Sequence, residues 1–313
     1  MQLAPIGICT YTRLNHLIRS IDALKANTLA QQSEIYIFSD GPRPGDEAKV
    51  QELRDYLTTI TGFKKVHPRL QPTNNMIENT SNAHIQLATT HGKSIFLEDD
   101  IVTSPHFLEF INNGLEKYES NKSVMSIGGY CPPIAFPKSY ANDIFFSPVF
   151  CPWGVGTWKD RFELVDTMRV DWRNHIKNPQ LAKNLKHVGK DLARRYKSLC
   201  RDNITDADLM AKYDLVFTVA MLQHQMFTVL PRQTLVDNIG FDGSGVHCNV
   251  KDARFTRTVD PSFRPLKLTD EVFLDSRIAG EMYLLYSFSK IKSPIMKIFY
   301  LFIRSLNQKK SCL

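Results

Sequence analysis

The first 120 residues alternate short apolar runs with amphipathic stretches, and few patterns leave a chain less choice of fold. Residues 5–10, Pro-Ile-Gly-Ile-Cys-Thr, read as a short buried strand. Leu14, Leu17, Ile18, Ile21 and Leu24 then recur at the spacing of one helical face. Glu34-Ile35-Tyr36-Ile37-Phe38 reads as a second strand, ending at the turn formers Ser39-Asp40-Gly41-Pro42. Asp46 to Leu57 predicts a helix with Val50, Leu53 and Leu57 inward. Residues 63–75 carry Phe63, Val66 and several turn formers, and a further helix is expected over Ser81 to Thr90. Lys93-Ser94-Ile95-Phe96-Leu97 is a third strand. Ser104-Pro105 opens a helix whose buried face is Phe107, Leu108, Ile111, Leu115 and Tyr118. Strands separated by helices pair in parallel and take helices on their faces, so the fold class is α/β.

Composition limits the rest. The chain has 313 residues, 43% hydrophobic and 23% charged, enough for one large α/β domain or two modest ones and too apolar for a disordered chain. No apolar run reaches the roughly 18–20 residues that cross a bilayer, and the start, Met1-Gln2-Leu3-Ala4-Pro5, lacks the pattern of a signal peptide. The six cysteines, Cys9, Cys131, Cys151, Cys200, Cys248 and Cys312, form no C-x-x-C pair, so reduced thiols in a cytoplasmic protein are expected. The net charge is +7. Lys290, Lys292, Lys297, Arg304, Lys309 and Lys310 lie beyond the last acid, Glu281, and account for nearly all of it. With the rest of the chain near neutral, a nucleic-acid partner is not expected.

Beyond Val124 the pattern changes. Strand-like pieces at 124–127 and 144–146 alternate with Gly, Pro and aromatic residues, and 151–158 reads as an ordered loop. Residues 160–200 are polar and helical in parts. Tyr213 to Gln225 has a helical apolar face, 226–230 is a strand, and 234–249 is a Gly- and Asn-rich loop.

Three consecutive acids, Glu98-Asp99-Asp100, follow the third strand. Like charges so close raise one another's pKa unless a cation or hydrogen-bond donors compensate. Ligands of open α/β sheets bind at the carboxyl ends of the strands, and adjacent carboxylates there suit a hard divalent cation shared with a diphosphate. Taken alone, an E-D-D is more often a solvated turn. Here Asp40 ends the preceding strand and Thr10-Tyr11-Thr12-Arg13 ends the first, so three strand ends carry polar groups that can meet on one edge.

Five ordered segments extend this: Ile8-Cys9-Thr10-Tyr11-Thr12-Arg13; Phe38-Ser39-Asp40-Gly41-Pro42-Arg43; Phe96-Leu97-Glu98-Asp99-Asp100-Ile101; Trp153-Gly154-Val155-Gly156-Thr157-Trp158-Lys159-Asp160-Arg161; and Asn238-Ile239-Gly240-Phe241-Asp242-Gly243-Ser244-Gly245-Val246-His247-Cys248. With them the chain resembles the GT-A-fold glycosyltransferases from about residue 5 to residue 250. It is most similar to bacterial inverting, family-two-type sugar transferases related to the N-acetylglucosaminyltransferase of N-glycan synthesis. The resemblance implies a GT-A (Rossmann-like) mixed central sheet with helices on both faces, plus a C-terminal helical tail. Residues 1–250 would be the catalytic domain, with a nucleotide-binding half over 1–120 and an acceptor and donor-sugar half over 121–250. Residues 251–313 would be a C-terminal extension.

The resemblance also implies roles. Asp100 would ligate Mn²⁺ or Mg²⁺, and Glu98 and Asp99 would hold ribose and base or brace the metal's waters. Asp40 would accept from the pyrimidine N–H, and Thr10 and Arg13 would line the base and phosphate pocket. Trp153 and Gly154 would meet the donor sugar and the acceptor, with core packing by Trp153 and Trp158 the equal alternative. His247 would approach diphosphate or metal, although a lone histidine beside a Gly-rich loop is more often structural. The base of similar sequences falls on Asp214, within Lys212-Tyr213-Asp214, where the usual Ser-Trp is absent and Asp206 and Asp208 compete. The usual Asn-x-Gly-Leu element is replaced by Thr73-Asn74-Asn75-Met76.

The expected activity is metal-dependent, inverting transfer from a nucleotide-sugar, a UDP-sugar foremost, to a glycan or lipid-linked glycan of a bacterial surface polysaccharide or lipopolysaccharide. The enzyme would be of hexosyl- or N-acetylhexosaminyltransferase type. Residues 294–310 mix Ile, Phe and Leu with Lys and Arg, which suits an anionic membrane surface or a helix docked on the domain. The protein would then be cytoplasmic, peripheral on the inner membrane face. The alternatives are a sugar nucleotidyltransferase, which would need a Gly-rich triphosphate loop after the first strand, and a non-catalytic glycan-binding or scaffold protein.

Overall fold

The computed structural model describes residues 2–244, 256–265 and 267–288. The first half runs β1 (Ile6–Thr10), α1 (Leu14–Lys25), β2 (Glu34–Ser39), α2 (Glu47–Leu57), β3 (Lys65–Leu70), α3 (Met76–Ser81), α4 (Leu87–His91), β4 (Lys93–Glu98), β5 (Ile101–Thr103) and α5 (Phe107–Lys117). The second runs β6 (Val124–Gly128), β7 (Ile144–Ser147), β8 (Val155–Trp158), α6 (Lys159–Val170), α7 (Trp172–His175), α8 (Pro179–Val188), α9 (Lys190–Lys197), α10 (Asp206–Met210), α11 (Tyr213–Gln223), β9 (Phe227–Pro231), β10 (Val236–Asn238) and α12 (Ser276–Phe288).

Eight strands form one mixed, mostly parallel sheet in the order β3-β2-β1-β4-β8-β6-β9-β7. The chain winds outward from β1 to β2 and β3, then crosses back to place β4 on the other side of β1. The strand order therefore reverses between β1 and β4, and the crevice beyond their carboxyl ends is where such sheets bind ligands. A second ladder, β5 antiparallel to β10, stands at that edge.

Strand alternation divides the core in two. Ile6, Ile8, Ile35, Ile37, Ile95 and Leu97 face one side and bury Leu17 and Ile21 of α1, Leu53 of α2 and Leu108 and Ile111 of α5. Phe38, Phe96, Met125, Phe145 and Val155 face the other, packing against Phe162 of α6, Leu185 of α8, Leu192 of α9, Val216 and Phe217 of α11 and Met282 of α12. Helices thus cover both faces, and strands buried on both sides read as near-continuous apolar runs.

Several features differ from the sequence expectation; one is that the expected loop over 234–249 contains β10. Residues 65–70 form an edge strand even though Pro68 lies within it, because at an edge its missing N–H costs no ladder bond. The expected helix over 81–90 spans 76–91 as α3, a π-helical segment at Asn82–Gln86 and α4. The π segment buries His84 against Phe96 and Phe162, at 4.5 and 4.4 Å between ring centroids, and burial drives its pKa down to about 3, so it is neutral. The 151–158 stretch is not all loop: Val155–Trp158 is an inner strand between β4 and β6. Finally, the helix after Ser104-Pro105 begins at Phe107, with Ser104 Oγ accepting from the His106 N–H at 3.1 Å.

The chain after residue 255 folds back onto the body. Tyr118 Oη donates to Thr269 O at 2.6 Å, Arg264 Nε to Glu109 Oε2 at 2.8 Å, and α12 buries Ile278, Met282 and Leu285. Among the described residues, no helix is long and apolar enough to cross a membrane. Residues 294–310 and the helical tail expected there lie outside the described residues, as does His247.

Candidate functional site

The site forms where the strand order reverses. β1 ends at Thr10 and β4 at Glu98, and because the two strands are parallel neighbours their polar continuations emerge together. Thr10 Oγ1 donates to Asp99 Oδ2 at 3.0 Å. Arg13, just before α1, brings Nη2 to Asp99 Oδ1 and to Asp100 Oδ2, the latter at 2.9 Å. Ser20 of α1 donates to the Asp99 carbonyl at 2.8 Å. Asp99 and Asp100 are 4% and 6% exposed, so their charges are held by Arg13 and these donors rather than by water.

Compensation is incomplete. Burial, and then the charges of Asp100 and Asp99, pushes Glu98 up to about 8 against the opposing pull of Arg13. Burial pushes Asp99 up to about 6, opposed first by Arg13. Asp100 Oδ1 and Arg13 Nη1 are buried without a hydrogen-bond partner among the described residues. The ion pair between Arg13 and Asp100 therefore leaves one buried carboxylate oxygen and one buried guanidinium nitrogen unsatisfied, an acceptor and a donor that buried polar groups seldom leave unpaired.

The segment after β10 closes the site from outside. The β5–β10 ladder sets Asn238 opposite Ile101, the Ile239 N–H donates to the Asp100 carbonyl at 2.9 Å, and Asn238 Oδ1 accepts from the Gly240 N–H at 2.8 Å. A Cβ on Gly240 would sit 2.1 Å from Asp100 Oδ2 and 3.1 Å from Arg13 Nη1. Only hydrogen fits between that backbone and the carboxylate. Farther on, His16 Nε2 lies 3.1 Å from Asp242 Oδ2, which ties the segment to α1.

Asp214 stands in the first turn of α11, close enough for its charge to help raise Glu98. Both its oxygens accept from Arg195 Nη2 of α9, at 2.8 Å each. Its two rivals are engaged elsewhere: Asp206 is ion-paired with Arg169, and Asp208 forms a capping box with Thr205 at the start of α10.

Asp40 occupies the expected strand end, but its carboxylate turns back into the protein. It accepts from the Gly41 and Asn75 N–H groups at 2.9 and 2.8 Å and from Asn74 Nδ2 at 3.0 Å, bracing the 73–75 segment. Trp153 is half-buried, edge-on to Tyr130 and Phe241 at 4.7 and 5.5 Å. Gly154 has φ +67°, and a Cβ there would meet the Phe107 ring at 2.9 Å, so the position has no room for a side chain. Trp158 is core, with Nε1 donating to Leu115 O at 3.2 Å and Arg161 over its ring.

Thr10, Arg13, Asp99 and Asp100 thus contact one another beside Glu98, Asp40 adjoins them facing inward, and Asp214 reaches them only through the effect of its charge on Glu98. Sequence reasoning missed Arg195, because a partner 19 residues away on another helix leaves no local pattern. It also missed Asn74 and Asn75 as the partners of Asp40; a run of amides between strands was the available signal.

Among the described residues, no group of three or more His, Cys, Asp or Glu is arranged to hold a metal ion. A divalent ion here would have one protein anchor, the open Asp100 Oδ1, and take its other oxygens from diphosphate and water, a usual arrangement for Mg²⁺ at phosphates.

No protein-family model matches the chain, and no curated protein matches it in sequence. Among solved structures it is similar to S. aureus TarS, at 9% identity over 75% of this chain and 36% of that one, with a TM-score of 0.39. It is similar to residues 1–349 of TarS at 10% identity, over 75% of this chain and 59% of that one, with a TM-score of 0.40. It is similar to the mannosyltransferase PcManGT from Pyrobaculum calidifontis, in complex with GDP-Man and Mn²⁺, at 10% identity over 71% and 73% of the two chains, with a TM-score of 0.36. The chain spans just over a third of the first TarS structure and less than two thirds of the second. Likeness this distant says nothing about the site.

Proposed function

We propose that the protein is a metal-dependent, inverting glycosyltransferase that takes a sugar from a nucleotide-sugar, a UDP-sugar foremost, to a glycan or lipid-linked glycan acceptor. The proposed setting is the synthesis of a bacterial surface polysaccharide or lipopolysaccharide. One observation carries the reading. A buried acidic pair with an unpartnered carboxylate oxygen and an unpartnered guanidinium nitrogen lies at the strand-order reversal, and a carboxylate from a separate helix is near enough for its charge to act on Glu98. The first set suits a cation and a diphosphate; the second suits a proton acceptor.

In this reading Asp100 anchors Mn²⁺ or Mg²⁺, which when bound neutralises the departing diphosphate as a Lewis acid. Arg13 turns its open Nη1 to a phosphate or ribose oxygen while Nη2 keeps Asp99 and Asp100 in place. Thr10 fixes Asp99, and Glu98 meets the donor from the cluster's inner side. Asp214 takes the proton of the acceptor hydroxyl as that oxygen bonds to the anomeric carbon. The bond from that carbon to the diphosphate breaks on the opposite face, and the nucleoside diphosphate leaves. Arg195 uses one nitrogen for both Asp214 oxygens, so each oxygen keeps a lone pair for the proton.

A nucleotidyltransferase would need a Gly-rich triphosphate loop after β1, and Thr10-Tyr11-Thr12-Arg13 is none. A non-catalytic glycan binder would have no use for the open buried charges.

The test is a donor panel of UDP-, GDP-, CMP- and dTDP-sugars with and without Mn²⁺, following nucleotide release. The expected outcome is metal-dependent release from one donor. Asp100→Ala should lose metal-dependent donor binding, and Asp214→Asn should keep donor binding but slow turnover at least about a hundredfold. No nucleotide binding by any donor would reject the proposal in favour of a scaffold.

A further inference from the structure

The net charge of +7 conceals a strong polarity. Residues 172–201 hold nine Lys or Arg and a single acid, Asp191. The total is the sum of +8 in this segment, +6 after residue 288 and −7 in everything else. The body is therefore not near neutral, as the whole-chain sum suggested: it is acidic with one intensely basic helical segment, α7 to α9.

The structure puts these charges outside. Lys183 and Lys186 of α8 are exposed, while Leu181 and Leu185 on its other side are buried. On α9 the exposed Lys190, Arg194 and Lys197 recur at the spacing of one helical stripe, and Leu192 and Tyr196 face the core. Asp191 pairs with Arg194 at 3.0 Å; Arg173, Lys183, Lys186 and Lys197 make no ion pair among the described residues. Four unpaired cations on short neighbouring helices repel one another, so an anionic surface would be bound with relief of that repulsion.

We propose that the outer face of α8 and α9 docks the protein on an anionic lipid bilayer. Two further observations favour lipid over another polyanion. The last described residues lie at the start of α9: the Lys190 N–H donates to Ser287 Oγ at 3.0 Å and the Lys190 ammonium lies 5.2 Å from the Phe288 ring centroid. The sequence that follows, 293–306, mixes Ile, Phe, Tyr and Leu with Lys and Arg, as interfacial segments do. Single-stranded nucleic acid needs aromatic platforms, and the two large aromatic residues of the segment, Trp172 and Tyr196, are each 2% exposed. The inner side of α9 carries Arg195 to Asp214, so docking would hold the proposed base within about one helix diameter, roughly 10 Å, of the headgroups. The docking itself stands independently of any catalytic role.

The test is co-sedimentation of the full-length protein, without nucleotide, with phosphatidylcholine vesicles and with vesicles containing about 30% phosphatidylglycerol at about 0.1 M salt. Binding should require the anionic lipid and fade as salt rises. Each neutralised lysine should weaken it about fivefold, so Lys183→Gln/Lys186→Gln/Lys197→Gln should lose on the order of a hundredfold. The single change Lys186→Gln should show the fivefold step. Melting curves matching wild type would exclude unfolding as the cause. A second full-length variant, Lys297→Gln/Arg304→Gln/Lys309→Gln, separates the terminal segment from the helical face. Full binding by the first triple variant would overturn the proposal, leaving the terminal segment as the only contact. Equal binding to neutral vesicles would overturn it as well, as would displacement from anionic vesicles by a stoichiometric oligonucleotide.

Discussion

Glu98 is partly buried as a residue, and burial of its carboxyl raises its pKa to about 8, while its neighbour Asp99 is raised to about 6. Unfolded, both would titrate near pH 4. Between about pH 4.5 and 8 the folded state therefore holds protons that the unfolded state has released, and stability falls as pH rises through that window. The melting temperature of the protein without added metal should drop from pH 5 to pH 8, and Glu98→Gln should flatten the drop and raise Tm at pH 8. Added Mn²⁺ should raise Tm more at pH 8 than at pH 6, because ionised carboxylates are what the cation would offset. A wild-type Tm independent of pH in this range would contradict the burial of Glu98. That three adjacent acids should perturb one another was readable from the sequence. Which of them stays open was not: the Arg13 nitrogen that reaches both Asp99 and Asp100 passes Glu98 by.

At the scale of elements, the two-stranded ladder of β5 and β10 matters more than its six residues suggest. It carries Gly240 against Asp100 from more than a hundred residues away. Gly240→Ala places a methyl 2.1 Å from the Asp100 oxygen, so the carboxylate has to move. A displacement on the order of 1 Å at such a site costs about a hundredfold in function. The variant should lose about that much donor or metal affinity with little change in Tm, which titration calorimetry and a melting curve would show together. The sequence marks 234–249 as a Gly- and Asn-rich loop, which suggests turns. Only strand pairing reveals that one of those glycines is a spacer. The 65–70 strand was hidden by Pro68 for a related reason, since tolerance of proline depends on the edge position, which is a property of the whole sheet.

For the molecule as a whole, the two apolar layers share one sheet, and α12 belongs to the same layer as α8, α9 and α11. Unfolding should therefore be cooperative across the chain. Leu17→Ala in the first layer and Met282→Ala in the second each remove a side chain no more than 1% exposed, at a cost of about 2–5 kcal/mol. Both should lower the same urea midpoint, seen alike by tryptophan fluorescence and circular dichroism. Two separate transitions would mean that the layers fold independently. Charge behaves differently at this scale: a sum over the chain averages a basic helical face against an acidic body, and counting charge element by element would have exposed the segment 172–201 from sequence alone.

The sequence by itself determined the α/β class, most of the strands and helices that build it, and the meeting of polar strand ends at one edge. Hydrophobic periodicity is local, and parallel strands joined by helices have few ways to pack. The tertiary structure decided how those ends are used: Asp40 turned inward by Asn74 and Asn75, Asp100 left with an open oxygen, Asp214 held by Arg195, Trp158 given to the core. Each depends on a partner distant in sequence, and the orientation of a side chain is set by whichever donors, charges and apolar surfaces the fold brings beside it.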